Sequence, residues 1–137
     1  AGGSGRYPWG DGAPPRGALN TTGGNDRSPG GRPWVNAFEG YGDGHWGPAA
    51  VGSLAANPWG IHDLSGNVSE WVADCWHDSF RRAPKDGSAW VNPGCRDQVI
   101  RGGSWASSPA QTRSAWRAPA QVDITNARLG FRVVRDL

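Results

Sequence analysis

The sequence predicts one loop-rich globular domain of short strands with few long helices. Three observations predict it. Gly (22) and Pro (11) together approach the level at which chains become disordered. Nine Trp oppose disorder, because Trp buries a large area and disordered chains are poor in aromatics. Turn signals also recur throughout the first half of the chain, where Gly supplies the positive φ that turns need. A length of 137 residues suits a single domain.

Taken in order, residues 7–57 read as loops. Their turn signals are Asp11-Gly12, Pro14-Pro15, Gly23-Gly24-Asn25-Asp26, Ser28-Pro29-Gly30-Gly31 and Gly42-Asp43-Gly44. A structureless stretch of this length needs something to tie it down. Pro8-Trp9, Pro33-Trp34 and Pro58-Trp59 follow no fixed period and read as turn anchors. In residues 60–71, Asp63 and Glu70 flank a Ser-Gly-Asn turn. Such a turn either gathers carboxylate and carbonyl oxygens for a hard cation such as Ca²⁺ or is a hairpin with two solvated acids.

Strands are expected at residues 68–76, 98–101, 113–117 and 129–135, with Leu129, Phe131 and Val133 sharing a face of the last. Cys75 and Cys95 bracket a Pro- and Gly-bearing loop. A disulfide closing it is the first reading; two separate thiols and a Cys75/His77 metal pair are the rivals.

The net charge of +2 is too small to imply nucleic acid. Every basic residue of the C-terminal third is Arg: Arg96, Arg101, Arg113, Arg117, Arg128, Arg132 and Arg135. These are expected to pack over Trp faces and pair with local carboxylates, in preference to binding an anion. No apolar run approaches the roughly 20 residues that span a bilayer, and the first residues do not resemble a signal peptide.

The run over residues 60–71, Arg101-Gly102-Gly103-Ser104-Trp105, Gly130-Phe131-Arg132 and Tyr7-Pro8-Trp9-Gly10-Asp11 stand in this order. Together they resemble the signature of the formylglycine-generating enzyme family, also called the sulfatase-modifying-factor domain. The resemblance covers nearly the whole chain and implies an α+β, C-type-lectin-like fold with short twisted antiparallel strands, long loops and little helix. It implies a flexible lead over residues 1–6 and the domain over residues 7–137, with the N-terminal third of the family domain missing. The missing part would be supplied by a severed portion or by other protein subunits.

The resemblance also implies two Ca²⁺ sites. One would use the Asp63 carboxylate, the Gly66 and Val68 carbonyls and the Glu70 carboxylate. The other would use the Asn20 side chain, the Thr21 carbonyl, the Asp43 carboxylate and the His45 carbonyl. Paired cysteines similar to Cys75 and Cys95 occur in bacterial relatives, and a disulfide there favours the periplasm or cell exterior.

Formylglycine-generating enzymes hold Cu(I) with two cysteines downstream of the Gly-Gly-Ser motif. The corresponding positions here are Ser107 and, near the second, Thr112, and no Cys follows Cys95. A hydroxyl does not replace a thiolate for a soft ion, so copper is not expected. His45, His62 and His77 lack the spacing of an iron facial triad. The expected function is a non-catalytic, Ca²⁺-stabilised binding or scaffold module, with Ser104, Ser107, Thr112 and Arg113 on its ligand-binding surface. The alternative is an enzyme of the wider family with other chemistry. The tail is also similar to the variable regions of diversity-generating retroelement proteins, which would display Ala106, Ser107, Ser108, Ala110, Gln111 and Thr112.

Overall fold

The computed structural model describes residues 5–135. Most of the expected lead, residues 1–4, lies outside them. Four strands form one curled sheet in the order β3-β2-β1-β4: β1 Ser69–Cys75, β2 Asp97–Arg101, β3 Ala118–Gln121 and β4 Leu129–Gly130. The first two lie within a residue of where alternation put them. β1 and β2 run antiparallel, pairing Glu70 with Arg101 and Cys75 with Gln98, and a bulge falls between Trp71 and Cys75. A bulge adds a residue to one strand and increases its twist. β4 pairs with β1 in parallel, Ser69 opposite Leu129.

Two strand expectations are corrected. Residues 113–117 form a turn, closed by Trp116 N–H donating to the Arg113 carbonyl at 2.9 Å. The strand lies just beyond, at Ala-Pro-Ala-Gln, paired with β2 through Val99 opposite Pro119. Proline in a strand discourages that reading from sequence, but β3 is an edge strand, where Pro is tolerated. The terminal strand is two residues long, and the apolar face after it is not covered. Phe131, Val133 and Val134 are 75%, 85% and 87% exposed. The single regular helical element among the described residues is a 3-10 turn, Pro109–Thr112. The protein is therefore strand and loop with almost no helix.

Residues before β1 are loops, as their turn signals predict, with isolated bridges such as Gly23 to Phe38. What ties them down is partly aromatic. Tyr7, Phe38 and Tyr41 form a buried cluster with Trp9 against it, and Trp9 stacks on Tyr7 at 4.9 Å. Trp34 stacks on Trp46 at 3.8 Å. The third supposed anchor, Trp59, is 64% exposed and anchors nothing by its ring.

The rest of the tie is polar. Asn20, Thr21, Thr22, Asn67, Ser69, Ser104, Ser107 and Thr112 are all buried. The Thr21 and Thr22 hydroxyls both donate to the Ser107 carbonyl, at 3.2 and 2.8 Å, across more than eighty residues of sequence. Buried polar groups of this kind are tolerated because they are hydrogen-bonded.

Candidate functional site

The two sets of oxygens foreseen for cations lie back to back, joined through Asn20 and Asn67. The Asn67 amide N–H donates to the Asn20 carbonyl at 2.8 Å. Asn67 sits at φ 59, and its side chain accepts from Ala49 N–H at 3.0 Å and donates to the Ala49 carbonyl at 3.3 Å. Asn is among the few residues that take the left-handed conformation readily. Gly66 precedes it at φ 80, and a Cβ there would stand 2.3 Å from the Asn20 carbonyl oxygen. The Gly-Asn pair is thus what lets the 60–71 turn approach the Asn20 backbone.

In the first set, Asn20 and Thr21 are each 1% exposed. Asn20 Nδ2 donates to the Gly47 carbonyl at 2.8 Å, while its Oδ1 is buried with no donor. The Asp43 carboxylate is brought to this segment by accepting from Thr21 N–H and His45 N–H, both at 2.8 Å. Burial pushes the Asp43 carboxyl above the ordinary range, against the pull of those two amides, and the nearby Asp26 adds to the rise. A buried acceptor without a donor beside a desolvated carboxylate fits a hard, oxygen-binding cation, which would satisfy the first and offset the charge of the second.

Asp26, part of the Gly23-Gly24-Asn25-Asp26 turn signal, has a second role. It is buried, and its two oxygens accept from Asp43 N–H at 3.1 Å and Gly44 N–H at 3.0 Å, so it shapes the loop carrying Asp43. Only its tertiary partners reveal that role.

In the second set, Asp63 stands at φ 55 and its Oδ2 accepts from Gly52 N–H at 2.8 Å. Both Glu70 oxygens are engaged by Arg132: Nε donates to Oε2 at 2.6 Å and Nη2 to Oε1 at 2.5 Å. A cation at Glu70 would share its carboxylate with that guanidinium, so this set fits less well than the first. Among the described residues no three His, Cys, Asp or Glu side chains converge. Each set therefore depends on carbonyl or amide oxygens. Arg132 pairing with Glu70, and Arg117 lying 4.3 Å from the Trp76 ring centre, follow the roles expected for the C-terminal arginines.

Downstream, the Gly102-Gly103 turn feeds Ser104 and Ser107 into one place. Ser104 N–H donates to Ser107 Oγ at 2.8 Å, and the two hydroxyls lie 3.2 Å apart. Both line a cavity of about 260 Å³ whose walls include Ile100, Trp116 and Leu129. Thr112 and Arg113 do not join them there. Thr112 is 1% exposed, with its hydroxyl donating to the Ser108 carbonyl at 3.0 Å, and Arg113 Nε donates to the Ala110 carbonyl. Ser107 and Thr112 are thus interior, not displayed, although Ala110 and Gln111 between them are exposed. Cys75 and Cys95 are joined as a disulfide, so the chain has no free thiol.

The described residues contain no helix long and apolar enough to cross a membrane. The sequence resembles the formylglycine-generating enzyme of Thermomonospora curvata, 29% identical over 96% of this chain and 43% of that protein. For the Streptomyces coelicolor formylglycine-generating enzyme the identity is 33%, over 96% of this chain and 40% of that protein. The chain thus spans about two fifths of these relatives. Among solved structures it is similar to PvdO from Pseudomonas aeruginosa, at 36% identity and a TM-score of 0.67 over 84% of this chain and 38% of that one. It also resembles Treponema denticola variable protein 1, at 27% identity and a TM-score of 0.52 over 63% of this chain and 31% of that one. The family profile for the sulfatase-modifying factor enzyme 1-like domain matches residues 1–137, and the chain belongs to that family.

Proposed function

We propose that this chain is a binding or scaffold module of its family, on a C-type-lectin-like frame, that works without two-cysteine copper chemistry. One observation carries the reading. The positions that correspond to the copper thiolates hold Ser107 and, near the second, Thr112, and both hydroxyls are spent on internal hydrogen bonds. The only sulfurs in the chain are tied to each other. This donor set does not fit a soft Cu(I) ion. The Ser104 and Ser107 cavity is the recognition site in this reading. Ca²⁺ held by Asn20, Thr21, Asp43 and His45 stabilises the loops behind it, and the Asp63, Gly66, Val68 and Glu70 set is the weaker second position. The disulfide supports an oxidising compartment, periplasmic or extracellular.

The partner in this reading is the remainder of the family domain or another subunit, docking on the uncovered strip at Phe131, Val133 and Val134. Exposed apolar side chains next to a two-residue edge strand favour association. Sedimentation tests this: self-association relieved by a partner is expected, and a cooperatively melting monomer would refute it.

The functional test is a Cu(I) titration together with aerobic incubation of a cysteine-containing peptide. No stoichiometric copper binding and no oxidation of the peptide cysteine are expected. Formation of an aldehyde at that cysteine would sink the non-catalytic reading. The identity with formylglycine-generating enzymes favours the second reading, an enzyme using other chemistry in the Ser104 and Ser107 cavity.

A further inference from the structure

The loop between β1 and β2 builds a second groove that shares no residue with the cavity or cation sets above. Its volume is about 580 Å³, and Trp76, His77, Arg81, Arg82, Trp90 and Asn92 line it. The loop is fixed at its root. The disulfide closes it, Trp76 N–H donates to the Asp97 carbonyl at 2.8 Å, and Cys75 N–H donates to the Trp90 carbonyl at 2.9 Å.

The groove's aromatic walls are preset. His77 lies flat on Trp90, ring centres 3.5 Å apart and planes within 5°. The His77 Nδ1 meets the Cys75 carbonyl at 3.0 Å, and Nε2 meets the Asn92 amide nitrogen at 2.8 Å. The two contacts, one at each ring nitrogen, hold the imidazole in place as a wall. On the other side the Trp76 indole donates to Asp78 at 3.0 Å, and the Arg117 guanidinium lies over its ring and over Phe80.

The groove also carries one carboxylate, Asp78, which accepts from the Trp76 indole, and its net positive charge comes from Arg81 and Arg82, both exposed. Among the described residues neither has a carboxylate within ion-pair distance. Arg82 stands at φ 72, in a turn over residues 80–83 closed by Ala83 N–H donating to the Phe80 carbonyl at 3.0 Å. Glycine takes that conformation without strain, and a residue with a Cβ does not. The turn therefore holds a guanidinium at the groove in spite of a backbone conformation that opposes it. Strain of this kind is kept where the side chain has work to do.

We propose that this groove binds a ring-shaped organic anion, a carboxylate or sulfate carried on a ring with an apolar face. The ring lies against the indole and imidazole walls, and the acid group takes the guanidinium forks of Arg81 and Arg82, whose planar geometry suits such oxygens. Two sources share this chemistry, aromatic acids and acidic sugars. Two cations beside one aromatic recess suit a ligand of one or two rings better than an extended polyanion, which needs a longer track of charge.

The test follows the indole N–H signals of the whole folded protein by NMR. The probes are phenyl sulfate and glucuronate, with phenol and glucose as neutral counterparts. Saturable shifts at Trp76 and Trp90, among the nine Trp, are expected with one or both anions and not with the neutral compounds. Response to phenyl sulfate alone assigns an aromatic acid, and response to glucuronate alone assigns an acidic sugar. Arg81→Ala and Arg82→Gly should each weaken binding about tenfold, the loss expected for a charged hydrogen bond. Arg82→Gly should do so while raising the melting temperature, which separates lost binding from lost folding. No saturable shift with either anion, equal shifts with the neutral compounds, or unchanged affinity in both arginine variants would overturn the proposal.

Discussion

Asn67 joins three separate loops through its backbone and side chain. Its backbone meets Asn20 and Trp105, and its side chain meets Ala49 twice. Asn67→Ala removes both bonds to Ala49 and the longer one accepted from Asn20 Nδ2, leaves Ala49 groups unpaired and places a less tolerant residue at positive φ. A loss of about 2–4 kcal/mol is expected, read as a shift in urea midpoint at constant slope. Tyr41 carries the clearest pH signature. Burial, which outweighs the Leu19 N–H that donates to its oxygen, raises its phenol above the ordinary 10.0, and Asp43 and Asp26 add to the rise. Below pH of about 10 the hydroxyl keeps its proton in both folded and unfolded chains, so its contribution is complete there. Above that the unfolded chain releases the proton first, and stability falls as pH climbs towards the folded value. Denaturation of the parent chain should therefore ease across this alkaline window, and Tyr41→Phe should flatten the trend. Equal slopes for the two proteins would remove Tyr41 as its source.

At the scale of elements, Arg132 joins the segment after β4 to β1 through Glu70, and to the turn before β1 through the His62 carbonyl at 3.1 Å. Arg132→Lys keeps the charge but loses the fork. With the pair partly exposed, about 1 kcal/mol of destabilisation is expected from thermal melts. The first cation set is likewise an inter-loop tie, binding the segment at Asn20 to that at Asp43. Chelation of Ca²⁺-loaded protein should lower its melting temperature by ligand linkage, and Asp43→Asn should abolish the sensitivity. Unchanged melting on chelation, in protein shown to contain Ca²⁺, would discard the structural role. Sequence made β1 and β2 legible because each alternates locally and ends at a Gly or Cys boundary. It misplaced β3 because Pro119 is acceptable only at an edge, and edges are set by partners elsewhere. It singled out the Asp43 and Glu70 carboxylates and expected Arg132 to pair with a carboxylate, but it did not name Glu70 as that partner or show the roles of Asp26 and Asn67. Those roles depend on contacts 17 or more residues away, which local periodicity does not encode.

For the molecule as a whole, the interior is unusual in what fills it. Outside the Tyr7, Phe38 and Tyr41 cluster, the deepest side chains are Asn20, Thr21, Thr112 and the disulfide-bonded Cys75. Large apolar side chains such as Phe80, Val91, Phe131 and Val134 already face solvent in the folded chain. Unfolding therefore exposes much polar and comparatively little new apolar surface, and these contribute to heat capacity with opposite signs. Scanning calorimetry should give a heat-capacity increment below the usual range of about 12–15 cal/mol/K per residue. Its stability curve should then be broad and shallow, with little loss on cooling, where proteins with oily interiors weaken.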